Sequence, residues 1–199
     1  MMKSVTTPLL FIALAACSAG GAGNTPADRI EDASRLTVAN IQSEARALQR
    51  QFRGATPTRY AALPDTGSAT YDGLVGGTFS ASGDSTDFVG RAAIDVDFAD
   101  GAVDGQLGKF FTAERERLSG TLSLRDGRVT SNRLDPFTTI RSGVRGRLTT
   151  PDGETIRVNA DLEGGFLNGT DGIGGDIRGR AVVGDTGGRI NAGLLLSDN

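Results

Sequence analysis

The chain has 199 residues, which is long enough for one domain with a hydrophobic core. Its 21 basic and 24 acidic residues give a formal net charge of −3, so composition gives no electrostatic support to a nucleic-acid partner. Histidine is absent, which excludes histidine-ligated metal sites, histidine general bases and Ser-His-Asp triads. Glycine is abundant, at 29 residues, and this suits an all-β protein with many turns and bulges.

The first 16 residues have the layout of an export signal. Lys3 supplies a positive start, and the apolar run from Pro8 to Ala16 is too short to span a bilayer. Small residues then lead up to Cys17, the only cysteine of the sequence, so a disulfide within the chain is excluded. We therefore predict a signal peptide over residues 1–16.

The end of this segment adds a more specific pattern. Leu14, Ala15, Ala16 and Cys17 resemble the lipobox of bacterial lipoproteins. In that family the cysteine thiol is alkylated by a diacylglycerol, the signal is cut before the cysteine, and the new amino group is acylated. The resemblance implies a membrane anchor of several acyl chains, such as palmitate, on Cys17, and two or more chains hold a protein firmly. Ser18 matches the class directed to the outer membrane. The alternative is an ordinary signal peptide that contains a cysteine.

Three segments follow before the pattern changes. Residues 17–24 are small and form a flexible tether. Residues 25–54 are predicted as one amphipathic helix, with Thr25 as its cap and Pro26 at its first position. Its stripe recurs at steps of three or four residues: Ile30, Ala33, Thr37, Ile41, Glu44 or Ala45, Leu48 and Phe52. The opposite side is polar and includes Arg29. Residues 55–67 are a linker loop. The stripe packs on the following domain or, alternatively, docks a partner.

From residue 68 to 199 apolar and polar residues alternate with a period of two. The clearest runs begin at Ala92, Leu118, Ile156 and Ile190, and turn signals stand at 99–101, 125–127, 151–153 and 185–188. This predicts a mainly β fold, an eight-stranded antiparallel up-and-down β-barrel preceded by one N-terminal α-helix. About eight strands leave an interior that side chains can fill. A membrane-spanning barrel is disfavoured, because the sequence has no tryptophan and two tyrosines, too few for aromatic girdles.

Three stretches of this region resemble one family. They are YDGLVGGTFS at 71–80, AAIDVDFADGAVDGQLG at 92–108 and LEGGFLNGTDGIGGDIRGRAV at 162–182. Their glycines and apolar alternation resemble the β-barrel domain of transferrin-binding protein B and its relatives, over residues 68–199. The resemblance implies a surface lipoprotein of the outer membrane that binds a ligand, with a link to iron acquisition. It does not imply transferrin as the ligand, since the segments that contact transferrin in that family have no counterpart here.

One aromatic pair is a candidate for ligand binding. Phe110 and Phe111 are adjacent, and neighbours in a strand point to opposite faces. One of the two is therefore expected to face solvent and to act as an anchor for a ligand. The alternative is that the helix or a loop covers it.

No metal or cofactor site is predicted. Four acids cluster within ten residues, but their spacing is not that of a calcium loop, and two of them fall on the polar face of a strand. We interpret them as a solvated strand face and turn: Asp95, Asp97, Asp100 and Asp104.

These patterns together predict an outer-membrane-anchored lipoprotein with a non-enzymatic ligand-binding or protein-binding role at the cell envelope, exposed at the surface. The first alternative is a periplasm-facing structural lipoprotein whose helix docks an envelope partner. The second is an enzyme, which would need a deep polar pocket within the barrel. Five side chains are predicted to fill that space instead: Ile94, Val96, Leu122, Val158 and Leu162.

Overall fold

A computed structural model of the chain describes residues 25–32, 37–132 and 135–198. Eight antiparallel strands form a closed barrel in which each strand pairs with the next and the last pairs with the first. The strands are β1 Ser68–Ala81, β2 Asp84–Asp97, β3 Ala102–Thr112, β4 Arg117–Asn132, β5 Asp135–Thr149, β6 Thr155–Leu167, β7 Gly172–Val183 and β8 Thr186–Asp198. The prediction of a closed, eight-stranded up-and-down barrel is confirmed.

The inside of the barrel is packed with apolar side chains. Alternate residues of all eight strands point inward and form one continuous buried cluster. The five side chains predicted to fill the barrel all belong to it, and none is more than 5% exposed. Aromatic rings contribute at both ends, with Phe79 stacked on Phe88 and Tyr71 tilted against Phe166. The alternation therefore orients the strands as predicted, with the apolar face inward.

Two helices stand where the sequence pattern predicted one. They are α1, Pro26–Asp32, and α2, Val38–Gln51. Thr37, placed in the apolar stripe of the predicted helix, has an extended backbone with φ −111° and ψ 155°, so the helical region is divided before α2. Its side chain accepts a hydrogen bond from the amide of Asn40, so Thr37 caps a second helix.

The start of α1 agrees with the sequence pattern. The Thr25 amide donates to an Asp28 carboxylate oxygen at 2.9 Å, and the Asp28 amide donates to the Thr25 hydroxyl at 3.3 Å. This is a reciprocal cap of the first turn, followed by Pro26 at the first helical position. The hydrogen bonds from Thr25 hold the pKa of the Asp28 carboxyl below its usual range.

Both helices pack against one side of the barrel. Helix α1 contacts β2 and β3, whereas α2 contacts β1 and β8. The apolar residues that face the barrel are Ile30, Ile41, Leu48 and Phe52, all buried. Two glycines permit the close approach: a Cβ on Gly108 would lie 2.7 Å from Ile30, and one on Gly172 would lie 2.3 Å from Phe52.

The turn predicted at residues 125–127 is not a turn. It lies inside β4, where Arg125 pairs with Gly143 and Arg128 pairs with Arg141, so the residues between them form a bulge. Asp126 takes a positive φ of 54° at this point. Ser142 of β5 satisfies the displaced backbone, since its hydroxyl accepts from the Arg125 amide at 3.1 Å. The pattern of Asp followed by Gly thus marks a bend within a long strand.

The loop between the helices and the barrel is fixed to one end of the barrel. The Thr58 amide donates to the Phe166 carbonyl of β6 at 3.0 Å, and the Thr138 amide of β5 donates to the Thr58 carbonyl at 2.9 Å. The loop therefore enters between β5 and β6, beyond the point where these two strands pair with each other. A short 3₁₀ helix, Tyr60–Ala62, follows on the outside.

Candidate functional site

The residues of the predicted lipid attachment lie outside the part of the chain that the structure describes. They are Leu14, Ala15, Ala16 and Cys17, together with the tether over residues 17–24. Lipidation of Cys17 stays a prediction.

The structure separates the two candidate ligand-binding phenylalanines. Phe110 points into the barrel, has no exposed surface and packs edge-on against Phe88, with ring centroids 5.7 Å apart. Phe111 points outward from the same strand but is half-buried, because it packs against the apolar cluster that includes Leu48 and Phe52. The two rings lie on opposite faces, as predicted, and the outer one is covered in part by the helix side of the molecule. A role for either in ligand binding stays a prediction.

Ion pairs fasten the helices to the barrel. The Arg29 guanidinium lies 3.0 Å from an Asp72 oxygen and 2.6 Å from an Asp95 oxygen, and Glu44 of α2 pairs with Arg91 of β2. Burial lowers the pKa of Arg29, but its hydrogen bonds to Asp95 and Asp72 outweigh that effect and hold the pKa above its usual value. Sequence periodicity placed Arg29 on the solvent side of the helix, whereas only 12% of its side chain is exposed.

The acid cluster of β2 and β3 serves the fold. Asp95 is bound to Arg29, while Asp97 and Asp100 accept hydrogen bonds of 2.8 Å from the backbone amides of Ala99 and Ala102 in the turn between the strands. Among the described residues no group of three or more His, Cys, Asp or Glu side chains is placed to hold a metal ion.

Tyr71 is a buried polar group inside the barrel. Burial raises the pKa of its phenol well above the usual value, and the negative charges of Asp198 and Asp171 raise it further. Its hydroxyl makes no hydrogen bond of good geometry among the described residues, although Thr170 lies near enough to oppose the pKa rise. The phenol thus stays neutral near neutral pH, and its ring packs in the core.

One end of the barrel opens into a basin of about 480 Å³ between four hairpin loops. Its floor is apolar and includes Phe79, Leu118 and Ile156. Its rim carries five exposed carboxylates, which are those of Asp84, Glu114, Glu116, Asp152 and Glu154. Carboxylates on short, solvated hairpins form an acidic rim, and the packed floor closes the interior below it.

The largest apolar side chains exposed among the described residues are at the other end. Tyr60 is 46% exposed and Phe137 is 36% exposed. A bridge joins Phe137 to Arg59, the residue before Tyr60, while Tyr60 itself lines a recess with Phe98 and Val129. Beside Phe137 lies an open groove of about 450 Å³, which includes Pro57, Thr138 and the glycines of β6 and β7. Sequence reasoning missed this aromatic pair, although Phe137 occupies an outward position of the alternation in β5.

No helix in the described ranges is both long enough and apolar enough to cross a membrane. No family model matches the chain, and no curated protein matches it.

Among solved structures, the chain is similar to a single-substitution mutant and a double mutant of the vaccine antigen transferrin-binding protein B from Haemophilus parasuis Hp5. The first match has 17% sequence identity and a TM-score of 0.48, and covers 70% of this chain. The second has 18% identity and a TM-score of 0.42, and covers 72%. Both are structures of the protein whose barrel the sequence motifs resemble. This chain spans 28% of the length of each.

Proposed function

We propose that this chain is an outer-membrane-anchored lipoprotein that binds a protein ligand on the outer surface of its barrel, without catalysis. The lipobox-like Leu14–Cys17 segment supports the anchor, and the barrel motifs at 71–80, 92–108 and 162–182 support a binding role of the kind their family has.

The observation that supports a ligand site on the outside of the barrel is its packed interior. A barrel that encloses a ligand needs a cavity, yet here the inward positions of all eight strands form one buried apolar cluster. The basin at one end has a floor made of the same core side chains. A ligand of this protein therefore contacts the outer wall, the rim or the loops.

The helix-docking alternative has less support. An envelope partner would need the apolar stripe of the helices, and this stripe is already used, since Ile30, Ile41, Leu48 and Phe52 are buried against the barrel. The outer side of α2 offers exposed polar residues such as Gln42, Arg46 and Arg50. We therefore assign ligand binding to the barrel.

Lipidation is tested by metabolic labelling with an alkyne fatty acid. We expect the natural chain to incorporate the label and Cys17→Ser to lose it, because the thiol is the acceptor. Ser18→Ala, next to the acceptor, is the control and keeps the label. Labelling of Cys17→Ser equal to that of the natural chain would contradict the anchor.

Surface exposure is tested by protease shaving of intact cells that carry an epitope at the C-terminus. We expect the tag to be lost while a periplasmic control protein survives. Survival of the tag until the outer membrane is breached would favour the periplasm-facing alternative.

The link with iron acquisition is tested by growth. A strain that lacks the protein is expected to grow more slowly than its parent when a host or environmental iron-carrying protein is the only iron source, and equally well on free ferric iron. Equal growth on both sources would remove iron acquisition from the proposal and leave ligand binding in place.

A further inference from the structure

The side of the barrel that the helices leave bare is rich in arginine. Apart from Arg117 at the start of β4, nine exposed arginines project outward from five successive strands, and we call the surface that these nine form the arginine wall. They are Arg125 and Arg128 on β4, Arg141, Arg145 and Arg147 on β5, Arg157 on β6, Arg178 and Arg180 on β7, and Arg189 on β8.

Few negative charges balance this surface. Four carboxylates share it, and three are already paired: Glu163 with Arg141 at 3.1 Å, Asp161 with Arg145 at 3.5 Å, and Asp176 with Arg178 at 3.1 Å. The fourth is Asp126, in the bulge of β4. The other six arginines have no carboxylate within 4.0 Å among the described residues. The wall thus carries a large excess of positive charge on a chain whose formal net charge is −3.

The register of the strands sets arginines directly against one another. Three cross-strand pairs are arginine with arginine: Arg128 with Arg141, Arg147 with Arg157, and Arg180 with Arg189. Side chains directly opposite on one face are about 5 Å apart at Cβ, and like charges in that position destabilise a sheet. A surface that only needs to be soluble is expected to carry positive and negative charges interspersed, unlike this one. An anionic partner relieves this repulsion.

We infer that the arginine wall is the surface on which this protein binds its partner, and that the partner is a protein with an acidic surface. The inference rests on the proposed function in one respect, that the chain binds a ligand on the outside of its barrel. The planar guanidinium matches a carboxylate with two parallel hydrogen bonds, so an array of arginines is suited to an array of Asp and Glu side chains.

The aromatic pair at the end of the wall favours a protein over a simple polyanion. Phe137 faces outward from β5, two steps of alternation before Arg141, and a bridge joins it to Arg59, the residue before Tyr60. Tyrosine and arginine are enriched among the residues that contribute most to protein–protein binding. From Phe137 to Arg147 the strand is about 33 Å long, and five strands are about 19 Å wide. The area of a surface with these two sides approaches the ~800 Å² that each partner buries in a standard interface.

A membrane is a poorer match for the wall. A surface that lies on lipid combines basic residues with Trp, Phe or Leu, whereas the outward positions between these arginines are small and polar: Thr121, Ser123, Gly143, Asn159 and Asn191. In a closed ring of eight strands β6 lies opposite β2, which α1 contacts. The wall is thus across the barrel from the start of the described chain.

The test uses the chain from Ser18 to Asn199 and a fluorescent peptide of alternating glutamate and alanine, at about 50 mM salt, where surface charges are weakly screened. The wall variant combines Arg147→Gln, Arg180→Gln and Arg189→Gln. None of these three side chains makes an ion pair among the described residues, so their loss removes no contact of that kind. We expect the variant to bind the peptide about tenfold more weakly.

The matched control is Arg46→Gln, Arg50→Gln and Arg53→Gln, which removes the same charge from exposed positions on and after α2. It is expected to change the affinity less than about twofold, because these positions are outside the wall. Thermal unfolding of the wall variant should match that of the natural chain or exceed it, since opposed like charges are removed. This separates loss of binding from loss of fold.

A second peptide, with one phenylalanine added, tests the aromatic end. It is expected to bind more tightly than the first, and Phe137→Ser is expected to remove that gain while leaving charge-dependent binding in place. Heparin and vesicles containing phosphatidylglycerol are compared under the same conditions.

Four results would overturn the inference. Equal weakening by the wall variant and its control, or no peptide binding at all, would remove the wall as the site. Binding of heparin or of the vesicles without binding of either peptide would assign it to a sulfated or phosphorylated partner. A natural chain that sediments as an oligomer and a wall variant that is a monomer would assign the wall to a second copy. A negative lipid-labelling or shaving result would leave these binding data standing, so the two proposals fail separately.

Discussion

At the scale of single residues, Tyr71 is the clearest case of a polar atom held in an apolar core. Its ring completes the packing around Phe166, but its hydroxyl makes no hydrogen bond of good geometry among the described residues. Tyr71→Phe keeps the ring and removes the buried polar atom. We expect the free energy of unfolding at pH 8 to stay equal or to rise by about 1 kcal/mol, measured by urea denaturation.

The control for this substitution is Thr170→Val, which removes the hydroxyl nearest to the phenol. If a hydrogen bond joined the two groups, both variants would lose about 1 kcal/mol and the double variant would lose no more than either one. That outcome would contradict the assignment of an unpartnered phenol.

The raised pKa of Tyr71 gives a second prediction, at alkaline pH. The folded chain keeps the Tyr71 proton above pH 10, where the unfolded chain releases it, so ionisation of this group costs no stability below pH 10 and lowers the free energy of unfolding as the pH rises above 10. The loss is at most about 1.4 kcal/mol per pH unit. Tyr71→Phe removes this loss. The free energy of unfolding of the variant, relative to that of the natural chain, should therefore rise by about 1 kcal/mol between pH 10 and 11. If the free energies of unfolding of the two proteins changed equally with pH, that result would contradict a buried, neutral phenol.

Single side chains also show where sequence reasoning stops. The alternation of β3 predicted that Phe110 and Phe111 point to opposite faces, because that follows from backbone geometry alone. What covers Phe111 depends on where the helices dock, and this is a long-range contact that periodicity does not contain. Arg29 was misplaced for the same reason: Asp72 and Asp95 are more than 40 residues away in sequence and meet it only in the folded chain.

At the scale of elements, Arg29 joins α1 to two strands of the barrel. Arg29→Ala leaves two half-buried carboxylates without their cation, and hydrogen bonds to charged groups contribute about 1.5–3 kcal/mol each. Since both carboxylates regain some water, we expect a loss of about 1–3 kcal/mol in the free energy of unfolding. Arg46→Ala, on the exposed side of α2, is the control and should change it by less than about 0.5 kcal/mol. Equal effects would show that the paired carboxylates do not hold α1.

Helix α2 depends on a close approach at Gly172. A Cβ there would lie 2.3 Å from the Phe52 ring and 2.5 Å from the Leu196 carbonyl oxygen, and the latter belongs to the backbone and cannot turn away. We expect Gly172→Ala to cost about 1–3 kcal/mol and to speed proteolysis of the helices. Gly193→Ala is the matched control, because its Cβ would meet only an oxygen at 3.8 Å. A neutral Gly172→Ala would mean that α2 is not seated against β7 and β8.

The elements that the sequence predicted well are those set by local pattern. Alternation located the inward faces of the strands, and Thr25 with Pro26 located the start of α1. The sequence-based predictions that differ from the structure are at positions where the same local sequence can form either of two structures. Asp followed by Gly makes a turn at 152–153 but a bulge at 126–127, and the choice is made by the partner strand, whose Ser142 bonds to the displaced backbone. Thr37 has a side chain that fits either a helix interior or a cap.

At the scale of the whole molecule, the barrel has two unlike sides. One is apolar and covered by α1 and α2, and the other is the arginine wall. The covered side carries outward-pointing apolar side chains, which are those of Leu74, Val89, Phe111, Leu167 and Leu195. Contiguous apolar patches of several hundred Å² are rare on the surface of monomeric proteins. The helices therefore cover apolar surface that would otherwise favour association between barrels.

A chain that begins at Thr56 tests this role of the helices. It keeps the bonds that Thr56 and Thr58 make to the barrel end, and it keeps every strand, so closure of β8 on β1 is intact. We expect its far-ultraviolet circular dichroism to remain that of a β protein. We also expect it to bind an apolar dye and to aggregate, because the side chains under the helices become exposed.

The matched variant carries Leu74→Thr, Val89→Thr, Phe111→Thr and Leu195→Thr in the same shortened chain. Threonine suits an exposed strand position and removes apolar surface, so dye binding should fall to the level of the natural chain while the strand signal is kept. If the shortened chain without these substitutions were already monomeric and bound no dye, the helices would not be needed to cover the barrel. Their apolar stripe would then be free to leave it, and the hypothesis in which a helix docks an envelope partner would regain its main support.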